Sequence, residues 1–104
     1  MSATPRMREL TEKLWPHIGQ FLKENAPATD IDVNSYLERQ KRENPDEFRD
    51  VVFRRRGFTA RGCAQSNQVD YAMANLIASG RITETGKGVE LTSYGGQLIS
   101  QLPQ

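Results

Sequence analysis

The feature that most constrains the fold is the order of patterns in the last third of the chain, residues 66–102. Residues 67–79 carry apolar side chains at the i, i+3, i+4, i+7, i+8 spacing that places them on one helix face: Val69, Ala72, Met73, Leu76 and Ile77. Gly80 follows, and a glycine readily takes the left-handed conformation that commonly ends a helix. We therefore predict an amphipathic helix over residues 67–79 that ends at Gly80.

Two short strands and a last helix are predicted after Gly80. Residues 81–85 alternate and are rich in β-branched types, residues 86–88 form a glycine turn, and residues 89–91 return as a second strand. The hydroxyl of Thr92 is placed to cap a final helix, in which Gly95 is expected to permit close packing. This order predicts a mainly α fold with a small β-hairpin, a winged helix-turn-helix in which a three-helix core carries the hairpin as its wing and ends in a C-terminal helix.

The first part of the chain predicts two further helices. Apolar residues share one face over residues 6–25, and Pro16 lies inside the pattern, so we expect either a bend there, which we favour, or a separate helix that begins at Pro16. Residues 25–30 are rich in turn formers, and Ile31 with Val33 is expected to form a short strand that pairs with the hairpin. A second helix is predicted from residue 34 or 35 to about residue 43.

The connection to the third helix is predicted to hold one more short helix. Pro45 and the two acidic residues after it suit a helix start, so we expect helical structure through Phe48, Val51 and Val52. The glycine-bounded residues 57–62 then predict a loop. Ser66 or Asn67 is expected to cap the third helix.

Length and composition predict a single domain over residues 1–104 and exclude several classes of protein. Neither a membrane span nor a secretion signal is visible, which predicts a cytoplasmic protein. The one cysteine, Cys63, is interpreted as a packing residue, and His17, the one histidine, as a half-buried helix residue beside Pro16. Since these residue types form no catalytic set, no metal spacing and no phosphate-cradling loop, we expect no enzyme, no metal and no cofactor.

The positive charge is concentrated in the middle of the chain. Although the net charge is only +1, residues 39–61 hold eight basic and four acidic side chains. Arg54, Arg55 and Arg56, with Arg61 close behind, form a run without a counter-charge just before the predicted third helix. Such a run is either a solvated face or a place where several guanidinium groups meet a phosphate backbone.

A spaced motif of aromatic, aliphatic, glycine and threonine residues runs through the last third of the chain: Tyr71-Ala72, Leu76, Ser79-Gly80, Ile82, Lys87-Gly88 and Leu91-Thr92-Ser93-Tyr94-Gly95. This motif resembles that of the N-terminal winged-helix domain of the Mrr restriction endonuclease family, and residues 14–18 resemble its proline-containing first helix. The resemblance implies DNA recognition. The 104 residues hold no counterpart of the family's nuclease domain, so we expect a restriction-type recognition module without cleavage, or a transcriptional regulator.

On this interpretation the third helix lies in the major groove of double-stranded DNA. Asn67, Gln68 and Asn75 are then expected to read bases, because side-chain amides pair with adenine, and Tyr71 lies on the same exposed face. Phosphate contacts are expected from Arg54, Arg55, Arg56 and Arg61, and Lys87 is expected to reach the backbone or minor groove from the wing. Asp70 opposes this interpretation, since a carboxylate repels phosphate.

Two other interpretations stay open. Tyr71 is alternatively expected to pack against residues 45–60, with the polar residues of the third helix simply solvated. The same fold also suits a protein-interaction or dimerisation module with little affinity for nucleic acid, since the net charge is near zero and Trp15 and Tyr94 are of a type enriched at interfaces. A homodimer is expected either as the form that binds DNA or, like a protein partner, in place of DNA.

Overall fold

The computed structural model describes residues 5–49, 51 and 68–102 of the chain. Within them the structure has four helices and a two-stranded antiparallel sheet, so the fold is mainly α with a small β-hairpin. The elements are α1 (Pro5–Asn25), α2 (Asp30–Glu43), α3 (Gln68–Ala78), β1 (Ile82–Thr85), β2 (Gly88–Leu91) and α4 (Ser93–Ser100). No helix in this part of the chain is long and apolar enough to cross a membrane.

Helix α1 lies at the centre of the packing and contacts α2, α3, α4 and β2. Its residues Leu14, Ile18 and Leu22 are almost fully buried, and they meet Leu37 of α2 and Leu76 of α3 in one apolar core. The helix runs through Pro16 without a second start. The alternative in which Pro16 begins a separate helix is therefore wrong, because burial on both sides of the proline compensates for the hydrogen bond that it removes.

Helix α2 begins four residues earlier than the first predicted start, at Asp30. Thr29 and Asp32 form a reciprocal capping box, in which the Thr29 hydroxyl accepts from the Asp32 N–H at 3.1 Å and the Asp32 carboxylate accepts from the Thr29 N–H at 3.2 Å. The strand predicted at Ile31 and Val33 is wrong, since both residues lie in the first turns of α2, with Val33 buried in the core and Ile31 49% exposed.

The hairpin pairs with the segment before α2 as predicted, but through Ala28 and not through Ile31 and Val33. The Ala28 N–H donates to the Val89 carbonyl at 3.1 Å, and the Val89 N–H donates to the Ala28 carbonyl at 2.8 Å. This single antiparallel bridge fixes the segment between α1 and α2 to β2. The β1 strand pairs with the other side of β2, from Ile82 opposite Leu91 to Thr85 opposite Gly88.

Residues 45–49 form a turn, so the short helix predicted to begin there is wrong for the residues that the structure describes. The turn is held by side chains from elsewhere: Phe48 is fully buried, with its ring centroid 4.8 Å from that of His17, and His17 Nε2 lies 2.8 Å from Glu47 Oε1. Lys41 Nζ donates to the Val51 carbonyl at 2.6 Å. These tertiary contacts outweigh the local helix signal of Pro45.

The predictions for residues 52–67 lie outside the described residues. They comprise the remainder of the short helix, the glycine-bounded loop, Cys63, the arginine run and the cap at Ser66 or Asn67.

The patterns of the last third are confirmed. The apolar face of α3 is buried except for the half-buried Ile77, and Gly80 ends the helix with a φ of 79°. Thr92 caps α4, accepting from the Gly95 N–H at 3.0 Å. Gly95 is buried against the Arg81 carbonyl, which a β-carbon would overlap, so the predicted close packing is present.

The packing of α2 on α1 predicts a dependence of stability on alkaline pH. The rings of Phe21 and Tyr36 stack with centroids 4.6 Å apart. Burial, and then the nearby Glu24 and Glu43, raise the pKa of the Tyr36 phenol above its ordinary value of 10.0. The folded state therefore favours the neutral phenol. The contribution of Tyr36 to the free energy of unfolding is complete below pH 10.0 and is lost as the pH rises through the folded-state pKa.

We expect Tyr36→Phe to lose less stability than the natural protein when the pH is raised above 10.0. Urea unfolding of both proteins at neutral pH and above pH 10.0 measures this difference. Equal losses in the two proteins would contradict the prediction.

Candidate nucleic-acid interface

The outward face of α3 is exposed at positions 71, 74 and 78. Tyr71 is 54% exposed, and Ala74 and Ala78 are exposed on the same side. The opposite face is fixed, because Val69 and Leu76 are fully buried against the core. The structure therefore presents α3 as a rigidly held helix with a free surface, which is the geometry that insertion into a nucleic-acid groove needs.

The structure places four of the predicted contact residues on or beside this face. Tyr71 is exposed, and Lys87 is exposed in the hairpin turn. Gln68 is half-buried and already has an interaction within the fold. Asn75 is also half-buried, and its side-chain amide donates to the Thr11 hydroxyl of α1 at 3.0 Å.

That bond gives Asn75 a structural role that sequence reasoning missed. Asn75 lies on the flank of α3 that meets α1. To read a base as well, its side-chain amide must use the hydrogen-bonding capacity that the bond to Thr11 leaves. The remaining predicted contacts, Asn67 and the arginines at 54, 55, 56 and 61, lie outside the described residues. The structure thus brings Tyr71 and Lys87 to the surface and engages Gln68 and Asn75 internally.

One groove runs along α3 on the side of the hairpin, and we call it the hairpin-side groove. It encloses about 720 Å³ between α3, the start of α2 and residues 84–89. Its charged lining consists of Asp30, Asp70 and Glu84 against Lys87. Asp70 already has an interaction within the fold, and the other two carboxylates outnumber the one ammonium group. The groove is therefore acidic, which opposes the approach of phosphate from that side.

A second groove, the α1-side groove, runs along the other flank of α3. It encloses about 500 Å³ and is lined by Arg8, Thr11 and Glu12 of α1, by the end of α3, and by Arg81. Its charged lining consists of two arginines against one carboxylate, which leaves a net positive charge. The two flanks of α3 therefore differ in the sign of their charge.

Arg81 explains why Glu12 adds little negative charge to the α1-side groove. Its guanidinium donates two hydrogen bonds to the Glu12 carboxylate, at 3.1 and 2.5 Å, and lies 5.4 Å from the centroid of the Trp15 ring. A bidentate pair with a cation–π contact has the geometry that arginine forms best. Arg81 looks like a solvated strand residue in the sequence, and no local pattern identifies its partners.

His17 is half-buried in α1 as predicted, with 21% of its side chain exposed, and it binds Glu47. Within the described part of the chain, no group of three or more His, Cys, Asp or Glu side chains is arranged to hold a metal ion.

Comparisons with known proteins provide no further constraint on this interface. No family model, no curated protein and no solved structure matches this chain. Any assignment of function therefore depends on the motif residues and on the geometry of α3 and its two grooves.

Proposed function

We propose that the chain is a winged-helix protein that binds double-stranded DNA through α3. The observation that carries the proposal is the arrangement of the hairpin, which joins a third strand position at Ala28 and leaves the outward face of α3 open beside it. In a winged helix the element order is helix, short strand, helix, helix, hairpin, and here α1, Ala28, α2, α3 and the hairpin follow that order. The motif resemblance to the Mrr N-terminal domain supports the same assignment.

In the proposed complex α3 lies in the major groove and positions Tyr71 at the base edges, while Gln68 reads a base only in exchange for its interaction within the fold. The arginines at 54, 55, 56 and 61, which precede α3 in the sequence, contact phosphates together with Lys87 of the hairpin turn. Tyrosine offers apolar contact and a hydroxyl, and glutamine offers a bidentate amide. Alanines at 74 and 78 let the helix approach the bases closely but add no hydrogen bond, so most of the affinity comes from phosphate contacts.

A protein-interaction module is the second function that the structure supports. The acidic hairpin-side groove favours it, since Asp30 and Glu84 repel phosphate but complement a basic protein segment. The net charge of +1 favours it as well. The two functions differ in their ligand, because only the DNA-binding function predicts binding to a duplex, with an affinity that falls steeply as salt rises.

The proposal predicts DNA binding that depends on the arginine run. Fluorescence anisotropy with a random duplex of about 25 base pairs, at about 50 and 200 mM salt, is expected to give a dissociation constant on the order of micromolar that weakens steeply as salt rises. Replacing Arg54, Arg55 and Arg56 with alanine is expected to lower the affinity at least about tenfold and to reduce the salt slope by about three.

The matched control replaces three other exposed arginines, Arg39, Arg42 and Arg49, with alanine, which changes the net charge equally. We expect this control to bind nearly as well as the natural protein. If the natural protein binds no duplex even at low salt, or if both triple variants lose affinity equally, the proposed use of the arginine run is wrong and the protein-interaction function becomes the better one.

A further inference from the structure

The two grooves beside α3 are charged in opposite senses, and this difference determines how a duplex can be seated. Ala74 lines the hairpin-side groove and Ala78 lines the α1-side groove, so the open face of α3 lies between them. A helix in the major groove has a phosphate strand on each of its flanks, because that groove is only about 12 Å wide. One DNA strand then meets the acidic hairpin-side groove, and the other meets the positively charged α1-side groove.

On the hairpin side, Glu84 is the carboxylate that the sheet directs at α3. It lies opposite Val89 in the register of the hairpin and shares a strand face with Ile82, and both of those residues are buried on the helix side. Glu84 is exposed, and no ion pair within the described residues neutralises it. Its charge is therefore available to repel a phosphate near the hairpin.

On the α1 side, the uncompensated charge is that of Arg8. Arg8 is exposed, and it has no ion-pair partner among the residues that the structure describes. The Glu12 carboxylate beside it is bound by Arg81 at 3.1 and 2.5 Å. Arg8 thus faces the groove as a free guanidinium next to a neutralised pair.

From this asymmetry we infer that DNA is held mainly through the α1-side groove, with Arg8 contacting a phosphate, while Glu84 weakens the hold on the other phosphate strand, which passes beside the hairpin turn and Lys87. The inference rests on the proposed DNA binding and adds to it a phosphate contact and the orientation of the duplex. Glu84 lowers affinity in this arrangement, and its repulsion disfavours the seating in which the backbone passes between α3 and the hairpin.

The test measures duplex affinity by fluorescence anisotropy for two pairs of full-length variants. Glu84→Lys is compared with Glu90→Lys, which places the same change on the other face of the hairpin, where Glu90 lies opposite Thr83. Arg8→Gln is compared with Arg39→Gln, since Arg39 is exposed on α2. Thermal unfolding of each variant confirms that the fold is retained.

Glu84→Lys is expected to tighten binding about fivefold and Glu90→Lys less than about twofold, because only the first change lies beside the phosphates. Arg8→Gln is expected to weaken binding about threefold and to reduce the salt slope by about one, while Arg39→Gln leaves both nearly unchanged. Equal effects within either pair would overturn the inference while leaving DNA binding intact. Absence of binding by the natural protein would instead overturn the proposed function and this inference together.

Discussion

Replacing Phe48 with alanine is expected to destabilise the protein by about 3–5 kcal/mol, as is typical when a fully buried aromatic side chain is removed from a core. Phe48 is 0% exposed although it lies in a turn, and its ring packs against His17 of α1. Truncation would leave a cavity and free the segment after α2 from the core. Urea unfolding monitored by circular dichroism measures the change.

Arg49→Ala is the matched control for Phe48→Ala. Arg49 is next in the same turn, but 75% of its side chain is exposed and its ion pair with Asp46 lies at the surface. Exposed pairs of this kind contribute about 0–1 kcal/mol. A loss for Phe48→Ala no larger than that for Arg49→Ala would show that the turn does not belong to the core.

Gly95→Val is expected to cost about 3 kcal/mol, at the upper end of what overpacking a buried site costs. A β-carbon at position 95 would overlap the Arg81 carbonyl oxygen and lie 2.8 Å from the Arg81 carbonyl carbon. The obstructing atoms belong to the backbone, and the same Arg81 carbonyl accepts a hydrogen bond from the Thr92 N–H at 3.1 Å. Relief of the clash therefore requires α4 to move away from the start of the hairpin.

The neighbouring glycine provides the control. A β-carbon at Gly96 would meet nothing within 4 Å, so Gly96→Ala is expected to stabilise the protein by about 0.5–1 kcal/mol through helix propensity alone. The two glycines are adjacent in one helix, and thermal unfolding measures both variants. A lower melting temperature for Gly95→Val together with a higher one for Gly96→Ala would confirm that α4 packs against the Arg81 backbone. Destabilisation of similar size at both positions would contradict that seating.

The sequence was sufficient where the determining interactions are local. The apolar period of α3, the left-handed glycine at position 80 and the hydroxyl cap at Thr92 all act within a few residues, and each is confirmed. The start of α2 was predictable in principle, because Thr29 and Asp32 have the spacing of a capping box. The β-branched Ile31 and Val33 suggested a strand instead, which shows how a cap overrides residue propensity.

The parts that could not be predicted depend on distant residues. The pairing of Arg81 with Glu12 and that of Asn75 with Thr11 join positions 69 and 64 residues apart, respectively. No local pattern carries such information, and both pairs change the candidate interface. One neutralises a carboxylate in the α1-side groove, and the other engages a residue expected to read bases.

The central position of α1 has a consequence for synthesis of the protein. Helix α1 leaves the ribosome before α2, α3, β2 and α4, all of which pack on it, so much of its apolar face has no partner until those elements emerge. Chains grow by about 5–20 residues per second, so α1 waits several seconds for its partners. During that interval the leucines and the isoleucine of α1 lack part of their apolar contacts, and the core is complete only once α4 has emerged.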